Sequence, residues 1–210
     1  MTKLRNIIFD FGGVIINIDT FRVGQVLAGK GIDNLDSLHM HLLNNNIYFG
    51  LETGHVSEQR FRDEIKSIIG REVSDQEIDD AWNAIILDIP TERVKLLENI
   101  RKNYSTYLLS NTNIIHFNYY NRYFAETFGY GSLAELFEEA YFSHEMGLRK
   151  PDPEIYKRVL EDRQLVPEET LFIDDNKDNI EAAQKLGIQG YHLQEGTELT
   201  SLFQKDLLVI

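Results

Sequence analysis

Four short apolar runs punctuate the chain, and each stops at a polar residue. Ile7–Phe9 ends at Asp10, Tyr107–Leu109 at Ser110, Tyr141–Phe142 at Ser143 and Leu171–Ile173 at Asp174. Continuous apolar runs of this length, rather than alternating ones, are what strands buried on both faces require. A weaker fifth run lies around Gly190–Leu193. Between the runs, apolar positions recur at helical spacing. Ile180, Ala183 and Leu186 share one face of Asn179–Leu186, with Gly187 as a C-terminal stop. Another helix pattern opens at Asp152 with Pro153 in the first turn, followed by Ile155, Tyr156 and Val159.

Strands alternating with helices predict an α/β fold: a doubly wound parallel sheet, that is, a Rossmann-like core. The spacing adds an insertion. Asp10 and Ser110 stand 100 residues apart, whereas a crossover between parallel strands needs only about a dozen residues plus a helix. The intervening stretch reads as helical, with Ser57 ahead of Phe61, Ile65 and Ile68 and a capping-box pattern at Ser74–Glu77. The expected organisation is a catalytic core of residues 1–18 and 89–210 with a helical cap of residues 19–88. In an open parallel sheet ligands bind beyond the carboxyl ends of the strands. Asp10, Ser110 and Asp174 should therefore converge on one crevice, overhung by the insert.

Composition narrows the chemistry. The 210 residues include no cysteine, which excludes disulfides, thiolate nucleophiles and Cys-ligated metals. A net charge of −13, from 34 acidic and 21 basic residues, argues against a nucleic-acid partner. An anionic substrate would then need local compensation by a metal ion or a few placed cations. No apolar run approaches the roughly 20 residues that cross a bilayer, and the first residues run directly into a strand. No membrane segment and no signal peptide are expected, which suits a cytoplasmic protein.

Four segments carry candidate chemistry. In Phe9-Asp10-Phe11-Gly12-Gly13 an acid at a strand end precedes two glycines, which allow close approach of a ligand to free backbone N–H groups. Leu109-Ser110-Asn111-Thr112-Asn113 offers a hydroxyl and backbone donors suited to a phosphoryl oxygen. Arg149-Lys150-Pro151 holds an ammonium on backbone that the proline restricts. In Ile173-Asp174-Asp175-Asn176 two adjacent acids repel each other unless a cation lies between them, and Mg2+ prefers such carboxylate oxygens. Taken singly, each has a plain structural explanation as a turn, a helix cap or a solvated surface residue.

Together, in this order and at these strand ends, the segments resemble the haloacid dehalogenase-like hydrolase superfamily along essentially the whole chain. Within it the motifs look most like those of sugar-1-phosphate phosphatases of the alpha-D-glucose-1-phosphate type. Shared features are Gly12, Leu-Ser-Asn-Thr-Asn, Arg-Lys-Pro, Asp-Asp-Asn-x-x-Asn-Ile and Gly54-His55-Val56-Ser57-x-x-x-Phe61, although Thr53 stands where an Arg is frequent. The resemblance implies a phosphatase of small phosphate esters that forms an aspartyl-phosphate on Asp10. It assigns Ser110, Asn111 and the backbone of Phe11 and Gly12 to substrate, and Lys150 to both catalysis and substrate. It assigns Mg2+ to Asp10, the Gly12 carbonyl, Asp174 and Asp175, with Asp175 the direct ligand of the pair. A monomer or homodimer is expected.

One departure opens rival readings. Most phosphatases of the family carry a second Asp two residues after the nucleophile, which handles the leaving-group proton; here that position is Gly12. Dehalogenases also lack it, so a metal-independent dehalogenase-type hydrolase is one alternative, and a non-catalytic phosphate-binding relative another. The paired acids Asp174–Asp175 favour the metal-dependent phosphatase. Glu52 and His55 are candidates for the missing role, read as solvated loop residues by default. His39, His41 and His116 show no metal-site spacing. The aromatic run from Phe117 to Tyr130 reads chiefly as helix packing.

Overall fold

The computed structural model describes residues 3–29, 35–69 and 72–209. Strand β1 (Asn6–Phe9) leads out of the N-terminus into the centre of the sheet. Five helices follow: α1 (Arg22–Gly29), α2 (Leu35–Asn44), α3 (Ile47–Glu52), α4 (Glu58–Ile69) and α5 (Asp75–Asn83). The chain then returns through α6 (Thr91–Ile100) to β2 (Ser105–Ser110), α7 (Ile114–Phe128), β3 (Glu139–Phe142) and the single turn α8 (Ser143–Met146). It finishes the core with α9 (Pro153–Arg163), β4 (Thr170–Asp174), α10 (Lys177–Gln184) and β5 (Gln189–His192).

The five strands of the central sheet are all parallel, in the order β3-β2-β1-β4-β5. Ile7, Ile8, Phe9, Leu108, Leu109, Phe172 and Ile173 are fully buried, because helices cover both faces and leave no side to alternate toward water. On one face Phe9, Leu108 and Ile173 pack with Leu97 of α6 and with Tyr120 and Phe124 of α7. On the other, Ile8, Leu109 and Phe172 meet Ile155 and Tyr156 of α9 and Ala183 of α10. The aromatic residues of α7 are thus core, as their spacing predicts; Phe117, Tyr119, Tyr123 and Phe128 flank the same cluster. The helix expected over Asn179–Leu186 starts earlier, at Lys177, because the Asn176 side chain accepts from the Asp178 N–H at 2.9 Å and caps it.

Helices α1 to α5 enclose an apolar cluster of their own, including Leu42, Ile47, Phe61, Ile65 and Ile78, which Ile115 of α7 joins. The capping box at Ser74 and Glu77 forms, and the Ser57 hydroxyl accepts from the Arg60 N–H at 3.2 Å. The segments entering and leaving this helical insert run side by side, tied by Asn17 N–H to Asp88 O and Leu87 N–H to Asn17 O. Among the described residues no helix is long and apolar enough to cross a membrane.

Strand register sets the site. Phe9 is level with Leu108 and Ile173, so Asp10 and Asp174 leave the sheet side by side while Ser110 ends the neighbouring strand.

Candidate active site

Lys150 is the hub of the crevice. Its side chain is 1% exposed, and its Nζ donates to Asp10 Oδ1 at 2.7 Å and to Asp174 Oδ2 at 2.8 Å. The lysine is held there by backbone contacts. The Asn111 side chain donates to the Lys150 carbonyl and accepts from the Lys150 N–H, both at 2.9 Å. Of the residues read as binding substrate, Asn111 therefore spends its amide on Lys150. Ser110 is buried and lines the cavity beside Asp10.

Asp174 and Asp175 sit in different surroundings. Asp174 is wholly buried, with Oδ1 accepting from the Asn176 N–H at 2.7 Å and Asn179 Nδ2 within reach of both its oxygens. Asp175 is exposed toward the crevice. Carboxylate oxygens of Asp10, Asp174 and Asp175 lie within 4.8 Å of one another. Three carboxylates around one ammonium leave an excess of negative charge, and hard oxygen donors so grouped suit a small divalent cation.

The charges respond to this crowding. Burial pushes the Asp10 carboxyl up to about 7; Lys150 opposes the shift and Asp174 adds to it. Burial, then Asp174, raises Asp175 as well. Burial alone would lower the Lys150 ammonium, but the two carboxylates outweigh it and its pKa is raised.

The glycines divide the work between them. Gly13 has φ +71°, and a Cβ there would come within 2.1 Å of Asp175 Oδ2, so only glycine lets the loop pass the carboxylate. Gly12 has no such constraint: a Cβ would meet Ile18 Cδ1 at 3.4 Å, an ordinary contact. Among the described residues the N–H groups of Phe11 and Gly12 donate to no backbone carbonyl, which leaves both for a ligand.

The insert walls one side of the crevice. The cavity above Asp10 measures about 310 Å3, and the insert contributes Tyr48 and Glu52 to its wall. Glu52 departs from the expectation of a solvated loop residue: it ends α3, is buried, and its Oε2 accepts from Arg149 Nε at 2.8 Å. Arg149 also stacks its guanidinium 4.4 Å from the centre of the Phe49 ring. His55 points elsewhere, its Nδ1 2.9 Å from the Thr53 hydroxyl. His116 also lines the cavity, with Nδ1 2.9 Å from Asn83 Oδ1 and its ring stacked on Trp82. Burial lowers its pKa to about 3. His41 pairs with Glu64 at 2.8 Å. A larger apolar cavity of about 570 Å3 lies within the insert, lined by Leu27, Leu42, Ile65 and Trp82 and by His39. It shares Thr20, Tyr48, Ile85 and His116 with the first.

Two residues named in the sequence have partnerships that its pattern does not show. Asn179, the last polar position of Asp-Asp-Asn-x-x-Asn, orients Asp174 through both its oxygens. Glu52 lies on a helix of 6 residues, too short to show a periodicity.

This doubly wound sheet, with a lysine bridging two strand-end aspartates, is that of a hydrolase. Residues 4–187 match the haloacid dehalogenase-like hydrolase family, and the chain belongs to that family. It is 30% identical over 207 residues to a D-ribitol-5-phosphate phosphatase of Bacteroides thetaiotaomicron, covering 99% of this chain and 98% of the relative. Its structure resembles that of a HAD family enzyme from Bacteroides thetaiotaomicron, solved in complex with magnesium and inorganic phosphate. The TM-score is 0.86 and the identity 39%, over 96% of this chain and 100% of the other. A HAD-like hydrolase from Porphyromonas gingivalis gives a TM-score of 0.84 at 31% identity, over 95% and 96% of the two chains.

Proposed function

We propose that this protein is a magnesium-dependent phosphatase that hydrolyses the monoester of a small phosphorylated metabolite, a sugar or sugar-alcohol phosphate, through an aspartyl-phosphate on Asp10. The observation that carries the reading is the position of the Lys150 ammonium between Asp10 and Asp174, with Asp175 open beside them. The full-length likeness to a D-ribitol-5-phosphate phosphatase supports the substrate class.

In this reading Asp10 attacks phosphorus in line with the departing oxygen. Lys150 orients Asp10 and favours its ionised form against burial, and its charge offsets part of the repulsion between carboxylate and phosphoryl group. The Ser110 hydroxyl and the free N–H groups of Phe11 and Gly12 hold the non-bridging oxygens. Asn111 contributes through its grip on the Lys150 backbone. Asp10, the Gly12 carbonyl, Asp174 and Asp175 would hold the magnesium, which when bound offsets the charge that gathers between the carboxylate and the phosphoryl group. Residues 19–88 act as the cap that excludes water from the crevice.

The apolar cavity adjoining the crevice favours a second reading of the leaving group, in which the ester carries an apolar arm that enters between Tyr48 and His116. A magnesium-supplemented screen distinguishes the two. It sets ribitol 5-phosphate, sugar 1-phosphates and sugar 6-phosphates against alkyl and aryl phosphates. Asp10→Asn should abolish turnover on whichever substrate is best while the variant stays folded. A folded Asp10→Asn variant that still releases phosphate at the parental rate would refute the mechanism.

A further inference from the structure

Gly12 leaves the reaction without an acid beside the nucleophile, and the departing alkoxide of a sugar or polyol needs a proton. The cavity holds few groups able to supply one. Asp10 is the attacking group, and Asp175 would hold the cation. The Lys150 ammonium is shared between two carboxylates. His116 is half-buried and tied to Asn83, with desolvation holding it neutral, so it has no acidic proton to give. Glu52 remains.

We propose that Glu52, entering the crevice from the end of α3, protonates the leaving oxygen and then serves as base for the water that hydrolyses the aspartyl-phosphate. The inference rests on the phosphatase reading above. Its carboxyl is buried in the wall of the cavity that contains Asp10, on the side contributed by the insert. It is held there by Arg149 Nε at 2.8 Å and by a hydrogen bond from the Tyr48 hydroxyl. Arg149 is itself clamped over Phe49, one residue from Lys150. The turn after α3 seats on the core so closely that a Cβ at Gly54 would reach 2.2 Å from the His144 carbonyl oxygen. The carboxyl is therefore fixed relative to the nucleophile, as proton transfer in the transition state requires.

Burial is the largest influence on Glu52 and raises its pKa. The nearby Arg149 and Lys150 charges and the Tyr48 hydroxyl oppose the shift without cancelling it. An entering phosphate dianion adds a further push in the same direction. In the first step the Asp10 carboxylate bonds to phosphorus as the P–O bond to the alcohol breaks. The electron pair on the departing oxygen takes the Glu52 proton. In the second step water attacks the phosphorus and Glu52 takes its proton. The bond to Asp10 breaks, releasing inorganic phosphate and restoring both carboxyl groups to their starting states.

The test is Glu52→Gln, which keeps the shape and an oxygen for Arg149 but holds no transferable proton. Rapid-quench kinetics with magnesium would compare ribitol 5-phosphate with p-nitrophenyl phosphate, whose leaving group needs no proton. The expected result is a loss of about 10²–10³-fold in phosphorylation by ribitol 5-phosphate. The burst of p-nitrophenol should stay within a few-fold of the parent, followed by slowed steady turnover. Glu52→Gln combined with Gly12→Asp should recover much of the alkyl-ester rate, since a Cβ at Gly12 meets only Ile18, at ordinary contact distance. An equal loss on both esters would overturn the proposal, because it would reduce Glu52 to a tether for Arg149 and the insert. So would an unchanged rate on both. A parent enzyme that hydrolyses no ester would instead overturn the phosphatase reading beneath it.

Discussion

Replacing Lys150 by methionine removes one charge and little else, because the unbranched stem is kept. The ammonium makes two contacts, at 2.7 Å to Asp10 and 2.8 Å to Asp174. At an effective dielectric near 20 each is worth roughly 6 kcal/mol of Coulomb attraction, before the desolvation of the ions is subtracted. What the variant feels is the cost of leaving buried carboxylates unpaired, about 3–5 kcal/mol when one partner of a buried pair is deleted. For a domain of this size that corresponds to a fall in melting temperature on the order of 10 °C. The loss should be larger in EDTA than with saturating magnesium, since a bound cation neutralises the same carboxylates. Turnover should fall by about 10²–10³-fold, the usual cost of deleting a preorganised electrostatic group. Thermal melts with and without magnesium, beside steady-state kinetics on the best ester, measure all of this. A Lys150→Met protein that melts with the parent in EDTA would refute the electrostatic account, whatever its activity.

Asp174→Asn and Asp175→Asn should separate stability from metal affinity. The first disturbs a wholly buried group with Lys150, Asn176 and Asn179 as partners and should lower the melting temperature; the second should chiefly weaken magnesium activation in a titration. The reverse pattern would show the two roles exchanged. Gly13→Ala should cripple magnesium binding, because its Cβ collides with the Asp175 carboxylate at a positive φ, whereas Gly12→Ala should fold normally; equal behaviour of the two in calorimetric titration would contradict the loop geometry. Asp10 is raised in the folded state to about 7, so its contribution to metal-free stability is complete below the ordinary carboxylate range and is lost as pH rises through 7. Urea unfolding of the parent minus that of Asp10→Asn, at pH 5 and pH 8 in EDTA, should show this decline, and magnesium should abolish it.

The strand ends were legible in the sequence because burial on both faces of a parallel sheet forces continuous apolar runs, and such runs stop where the chain turns into solvent. Asp10, Ser110 and Asp174 therefore fall at one edge from sequence pattern alone, and the 100-residue gap between Asp10 and Ser110 announces the insert. Lys150 lay on no strand and had the composition of a surface residue. Only packing shows it buried, since the field of two distant carboxylates makes burial of an ammonium tolerable. The short helix α3 gave no period to read, so Glu52 looked solvated until the fold brought Arg149 against it from 97 positions away. Local pattern determines which segments become strands and helices, because each residue's burial repeats with its neighbours'. The partnerships of single charged groups depend on long-range register and on the seating of the insert, and these only the tertiary structure decides.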